Sequence, residues 1–325
     1  MKKENTYLPS AKKIFQRYER VPFQENILLV GTVGSGKSAT INTISAALSG
    51  EKKYRAPIGA QLSSPDSKRQ RTTTHLMWYK GCGIEETRRK DMHAPKRIPN
   101  LVDMTGLENI ESREQEELLE LILMGKIPDK TSIPALQDME RRKSGSLKRC
   151  FPFIYNPRRI HKILFVANAT EPIPTKLIQS VRNVAQPDGT PSNYNPRYIP
   201  LFGLMTKEDL VDWEDTEIQN REREFLQSLG IDETASYSRW HNNSTGDFSC
   251  KVLYFLDRLL SPEVRMVLDQ MIFLKIWMGA LWENPSYIFP MILVPLLGLA
   301  VTFYMSDFAL PDLDLFHVLK MKSGK

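Results

Sequence analysis

The eight residues Gly31 to Ser38, GTVGSGKS, directly follow the apolar run NILLV at 26–30. They fit G-x-x-x-x-G-K-[ST], and no other stretch restricts the fold as tightly. A compact apolar run ending in glycine reads as a buried parallel strand. Residues 37–48 have the pattern of a helix. Between strand and helix, the glycines let the backbone curl until successive N–H groups face inward as an anion nest, and the helix adds its positive end. Val33, Gly34, Ser35, Gly36, Lys37, Ser38 and Ala39 are therefore the expected phosphate-contacting residues. Lys37 is expected to reach the β and γ phosphates as a catalytic charge, and the Ser38 hydroxyl to ligate Mg²⁺. The plainer alternative, a flexible Gly/Ser loop that only starts a helix, does not explain the strand placed just before it.

Further apolar runs at 76–79, 98–102, 163–167, 199–205 and 235–240 alternate with helical or polar segments. That alternation predicts an α/β fold with a doubly wound, mostly parallel sheet. The run at 98–102 ends in Asp103-Met-Thr-Gly106. An aspartate at a strand end can hold Mg²⁺ through water, and the Gly106 N–H can meet a γ-phosphate. The run ending at Met205 is followed by Thr206-Lys207-Glu208-Asp209, which fits [NT]-K-x-D. Asp209 can accept from guanine N1–H and N2–H₂, a pair adenine does not present, while the Lys207 stem lies along the base. The competing reading is a capping box with Thr206 as N-cap and Asp209 at N3, which would leave an ATP-using P-loop protein. The order phosphate loop, DxxG, TKxD favours guanine.

Two positions need other groups. A first switch requires a hydroxyl that closes on Mg²⁺. Thr72, Thr73 and Thr74 precede the second strand, with Thr74 preferred as metal ligand and catalytic residue and Ser63 and Ser64 as alternatives. Leu107 follows Gly106 where a water-orienting side chain is needed, so hydrolysis calls on His75 or on a residue from a partner. The last base-contacting loop falls at 240–243 by order alone, with His241 as its contact.

Apolar residues at 41% and charged residues at 25% exclude a disordered, collagenous or multi-span membrane chain. Three dispersed cysteines fit neither a disulfide framework nor a zinc site, which suggests a reducing compartment. The N-terminus has no apolar core of a signal peptide. The net charge of +6 resolves locally: residues 141–162 carry eight Lys/Arg and no acid, whereas 108–120 and 207–224 are each about −5. The stretches 141–162 and 183–197 read as inserted loops. The first, with its aromatics, suits an anionic lipid surface better than nucleic acid, for which no ordered signature is present. Residues 284–306 carry no charge. A helix over 288–305 would span about 27 Å, with Trp282, Tyr287, Phe303 and Tyr304 near its ends. Pro290 and Pro295 oppose a straight helix, and a buried core helix is the alternative. The expected organisation is a basic lead-in at 1–24, a P-loop domain at 25–262 and a helical region at 263–325 with a single transmembrane helix at 286–306.

On these motifs the chain resembles GTPases of the translation-factor and dynamin/septin lineage. In particular it is similar to the interferon-induced protein 44 family, through Val21-Pro22-Phe23 before the first strand and LILMGKIPD at 121–129. It also resembles the immunity-associated, AIG-type GTPases, through GSGKSAT at 34–40 and KEDL at 207–210. The resemblance implies GTP/GDP and Mg²⁺ as ligands, GTP hydrolysis and a homodimer through the GTPase domain. It further implies an immune or stress-response role and a cytoplasmic domain tail-anchored to an intracellular membrane, with a soluble cytoplasmic protein as the alternative. Leu107 keeps open a non-hydrolysing, GTP-bound membrane scaffold.

Overall fold

Strand β1, Asn26–Val30, is buried along its whole length. Because side chains alternate across a strand, Ile27 and Leu29 join one core and Leu28 and Val30 another, on opposite faces of the sheet. A strand this apolar needs layers on both sides, and the chain supplies them. The computed structural model describes residues 8–18, 24–51, 55–58, 73–85, 97–187, 198–242 and 250–261.

In chain order these residues form α1 (Leu8–Tyr18), β1, α2 (Lys37–Ser49), β2 (Met77–Tyr79), β3 (Asn100–Asp103), α3 (Arg113–Leu123) and α4 (Ile133–Arg142). There follow α5 (Ser146–Cys150), β4 (Lys162–Asn168), α6 (Thr175–Ala185), β5 (Leu201–Thr206), α7 (Thr216–Leu229), α8 (Glu233–Ser236), β6 (Tyr237–Trp240) and α9 (Cys250–Leu259). The sheet order is β2-β3-β1-β4-β5-β6. All neighbours are parallel except β2, which runs antiparallel to β3 at the edge. Residues of α1, α2 and α9 build the core on the Ile27 face, and residues of α3, α4, α6 and α7 build the other.

The α/β, doubly wound expectation is met, with small shifts. The strand expected at 235–240 starts at Tyr237, because Asp232 accepts hydrogen bonds from Thr234 and Ala235 N–H and starts a helical turn first. The basic stretch at 141–162 is not a free loop. Its last lysine is the first residue of β4, and Glu140 accepts from the N–H groups of Gly145 and Leu147 to fix its other end.

One polar cluster lies deep at the N-terminal end of the strands. Lys162 Nζ donates to Glu25 Oε2 at 2.9 Å and to the carbonyls of Leu259 and Ser261 at 3.0 and 2.6 Å. Tyr18 Oη donates to the same carboxylate at 3.0 Å. Burial and the Glu25 charge push the Tyr18 hydroxyl well above its ordinary range. One ammonium thus joins the residue before β1 and the start of β4 to the C-terminal end of α9. Among the described residues no helix is long and apolar enough to cross a membrane. The segment 286–306 lies outside the described residues, as do Val21-Pro22-Phe23, Thr72, Ser63 and Ser64.

Candidate nucleotide-binding site

Parallel strands deliver their following loops to one end of the sheet, so the loops after β1, β3, β5 and β6 meet there. At Gly31 a Cβ would lie 2.1 Å from the Val166 carbonyl oxygen, so only glycine lets the loop leave β1 this close to β4. Gly36, at φ +93°, turns the chain into α2 through the left-handed region that glycine enters without strain. Lys37 Nζ folds back onto its own loop and donates to the carbonyls of Gly31 (3.1 Å) and Thr32 (2.8 Å). Burial lowers its pKa to about 8, opposed in part by the Asp103 charge.

The D-x-x-G segment is fastened to this loop. A Cβ on Gly106 would come within 2.4 Å of Val33 N and Cα. Leu107 N–H donates to the Gly31 carbonyl at 3.1 Å, and Thr32 and Leu107 pair as a parallel bridge. Asp103, the last residue of β3, is fully buried. Its Oδ2 accepts from Ser38 Oγ at 2.6 Å. Its Oδ1 is buried without a hydrogen-bond partner among the described residues. Burial raises its pKa, against the hydrogen bond from Ser38, the Lys37 charge, the Met104 N–H and Thr73. Thr73 Oγ1 lies 3.2 Å from Ser38 Oγ. Two hydroxyls and a carboxylate with an unused oxygen form a hard, oxygen-only donor set that fits Mg²⁺.

Thr74, the preferred switch residue, is placed elsewhere. Its hydroxyl lies 2.8 Å from His75 Nδ1, and its carbonyl accepts from Ile133 N–H. His75 bridges Ser132 in antiparallel fashion. This extended pairing alternates the side chains, so Thr73 meets Ser38 and Thr74 faces away. Leu107 is only 1% exposed and belongs to the core below the sheet. The position after Gly106 is thus committed to packing.

The capping-box reading of residues 206–209 is overturned. Thr206 ends β5, and its Oγ1 donates to the Ser35 carbonyl at 2.7 Å and the Ala167 carbonyl at 3.2 Å. The short 3-10 turn at Glu208–Leu210 is instead capped by Lys207, without a side-chain hydrogen bond. Lys207 has φ +60°, a left-handed backbone that costs a non-glycine residue roughly 1–3 kcal/mol and clusters at ligand clamps. Asp209 is exposed. Glu208 beside it pairs with Lys251 at 2.8 Å, and with His241 Nδ1 at 3.9 Å when that ring is protonated.

Asn242 lies in the loop expected at 240–243, but its structural role was not read from the sequence. Its Oδ1 accepts from Thr43 Oγ1 at 2.9 Å and Trp240 Nε1 at 3.0 Å. Its Nδ2 lies 3.1 Å from where a Gly36 Cβ would stand. It ties the loop after β6 to α2. The only available signal was an asparagine two residues beyond an apolar run.

No family model matches this sequence, and no curated protein matches it. Many solved structures are similar to it, and two serve as examples. One is a bacterial selenocysteine-specific elongation factor, EF-Sec, at 13% identity and TM-score 0.35, covering 76% of this chain and 29% of that protein. The other is a dimerization-deficient mutant of Toc33 from Arabidopsis thaliana, at 13% identity and TM-score 0.39, covering 82% of this chain and 92% of that one. Likenesses this distant carry no activity across. The P-loop character of the domain rests on the strand order and loop geometry described above.

Proposed function

We propose that this chain binds guanine nucleotides with Mg²⁺ and converts GTP to GDP and phosphate, as a switch whose nucleotide state governs self-association or partner binding. One observation carries the reading: the Thr206 hydroxyl donates to the Ser35 carbonyl. This fastens the tetrapeptide that would read the base to the loop that would hold the phosphates, as one mononucleotide requires. In this reading Lys37 leaves the Gly31 and Thr32 carbonyls for the β and γ phosphates. The N–H groups of residues 33–39 line the phosphates, and Gly106 N–H senses the terminal one. Lys207 and Asp209 hold the guanine, with His241 at its edge. Ser38, Asp103 and Thr73 would hold Mg²⁺, with Thr73 replacing Thr74 in that role; the ion neutralises charge on the β and γ oxygens.

Titration of the full chain with GTP, GDP and ATP tests this. GTP and GDP should bind far more tightly than ATP, and Asp209→Asn should remove that preference by about 100-fold or more, a lost bidentate charged contact being worth roughly 3 kcal/mol. Xanthosine triphosphate, with an oxygen where guanine has its 2-amino group, should bind the variant best. Equal binding of ATP and GTP by the native chain would sink the guanine reading.

The burial of Leu107 favours a second reading, a GTP-bound scaffold that does not hydrolyse. Phosphate release measured at rising protein concentration separates the two. Turnover that climbs with concentration indicates a water-orienting group supplied by a second copy, and no release at any concentration leaves the scaffold. The domain limits at 25–262, the homodimer, the tail anchor at 286–306, the cytoplasmic location and the immune or stress-response role are parts of the same proposal, resting on sequence features and resemblance.

A further inference from the structure

The end of the sheet away from the phosphate loop carries an unusual surface. Seven large apolar side chains are exposed among the described residues, and three are consecutive: Phe153 (83%), Ile154 (57%) and Tyr155 (51%). Such clustering is a patch rather than the scattered exposure any surface shows. Its base is fixed. On one side Glu140 binds the 145–147 turn, and Leu147 is fully buried. On the other, Asn26 Nδ2 donates to the carbonyls of Pro157 (2.9 Å) and Arg159 (2.7 Å), and Ile160 N–H donates to the Leu123 carbonyl. The fold thus holds an apolar tip out into solvent on a secured stem.

The tip is flanked by exposed Arg141, Arg142, Lys143, Lys148 and Arg149. Asp138 meets the first two, and Glu120 meets Lys148. No acid occurs between 141 and 162, so the turn and its own flank carry only positive charge, offset in part by Asp138 and Glu120. The last described residue lies at this end too: the Ser261 carbonyl accepts from Lys162, three residues beyond Arg159. An apolar tip in a positive field is the pattern of a peripheral membrane contact, where apolar side chains enter the interface and cations meet anionic headgroups. RNA suits it less well. Phe153 alone presents a free ring; the Tyr155 ring is already covered by the Arg158 guanidinium at 4.5 Å, and Ile154 offers no stacking face. A second copy suits it less well too, because a two-fold contact would set this positive patch against itself.

We propose that the 150–155 turn and its basic flank dock on an anionic lipid bilayer, independently of any anchor in the C-terminal segment and of the nucleotide reading. The test measures partition of the full chain onto phosphatidylcholine vesicles with and without about 30% phosphatidylserine. Anionic vesicles should bind at least tenfold more protein. Lys143→Gln/Arg149→Gln should weaken that binding by about 25-fold, at roughly fivefold per cation removed. Phe153→Asp/Ile154→Asp should weaken it at least about tenfold. All four side chains are exposed, so circular dichroism should not change. Partition that ignores lipid charge and both variants overturns the proposal, since the uncharged 284–306 segment would then account for it. Variants that instead alter RNA retention or sedimentation while leaving vesicle binding intact overturn it as well.

Discussion

The two ends of the sheet each bury a lysine, and the lysines are used in opposite ways. Lys162 is 1% exposed and Lys37 is 6% exposed. Lys162 has a carboxylate and two carbonyls within 3.0 Å, a complete set for an ammonium's three donors. Lys37 has two carbonyls from its own loop and shares Asp103 only at a distance, so burial drags its pKa down to about 8. A satisfied buried charge fastens elements together. An under-satisfied one, beside an Asp103 Oδ1 with no hydrogen-bond partner among the described residues, marks a candidate site for a polyanion and a cation.

Breaking each lysine sharpens the contrast. Lys162→Met leaves Glu25 buried and two carbonyls at the end of α9 unpaired, and should cost about 3–5 kcal/mol of stability. Urea denaturation would read this, while GTP affinity per folded molecule stays the same. Lys37→Met should do the reverse. Nucleotide affinity should fall by about 2–3 kcal/mol, roughly 30- to 150-fold, while ligand-free stability holds or rises, because a poorly compensated charge has left the interior. If both variants lose stability alike, the contrast fails.

The same contrast has a pH signature. With its folded pKa lowered from 10.5 to about 8, Lys37 binds fewer protons in the native than in the unfolded chain between those values. Its penalty is therefore complete below pH 8 and is relieved as pH rises toward 10.5. Measured against Lys37→Met without nucleotide or magnesium, the native chain should gain stability from pH 8 to 10, out of a total of roughly 3 kcal/mol. Above pH 10 the buried Tyr18 and Tyr237 and the partly buried Tyr79, whose pKa values are all raised, act in the opposite direction in both proteins. A flat difference between pH 8 and 10 would show that Lys37 is better compensated than its contacts suggest.

Much of the phosphate end was legible in the sequence because its constraints are local. A glycine-rich loop between an apolar run and a helix has few other meanings, and the D-x-x-G and T-K-x-D tetrapeptides sit at strand ends where alternation puts them. The other end was largely hidden. Lys162 reads as one more cation in a basic stretch, and only the pairing of β1 with β4 and the arrival of α9 bring it to Glu25. The contacts of Asn242 were hidden for the same reason, since its partners lie 199 and 202 residues away in α2. The antiparallel run of the three-residue β2 cannot be read from its length or composition.

Register rather than chemistry separates Thr73 from Thr74. Neighbouring threonines in an extended segment face opposite sides, and which one meets the metal ligands depends on how 74–76 pairs with 130–133. Leu76 N–H donates to the Thr131 carbonyl and Lys130 N–H to the Leu76 carbonyl, a ladder that a one-residue slip would invert. The observed register puts Thr73 beside Ser38 and Asp103. Thr73→Val should therefore weaken magnesium-dependent GTP binding by about 1 kcal/mol, five- to tenfold, and leave GDP binding nearly unchanged, because in the proposed function only the terminal phosphate closes the switch. Thr74→Val should leave both unchanged, its hydroxyl being engaged with His75. If Thr74→Val carries the loss instead, the segment slips by one residue when GTP binds, and the ladder to 130–133 is itself the switch.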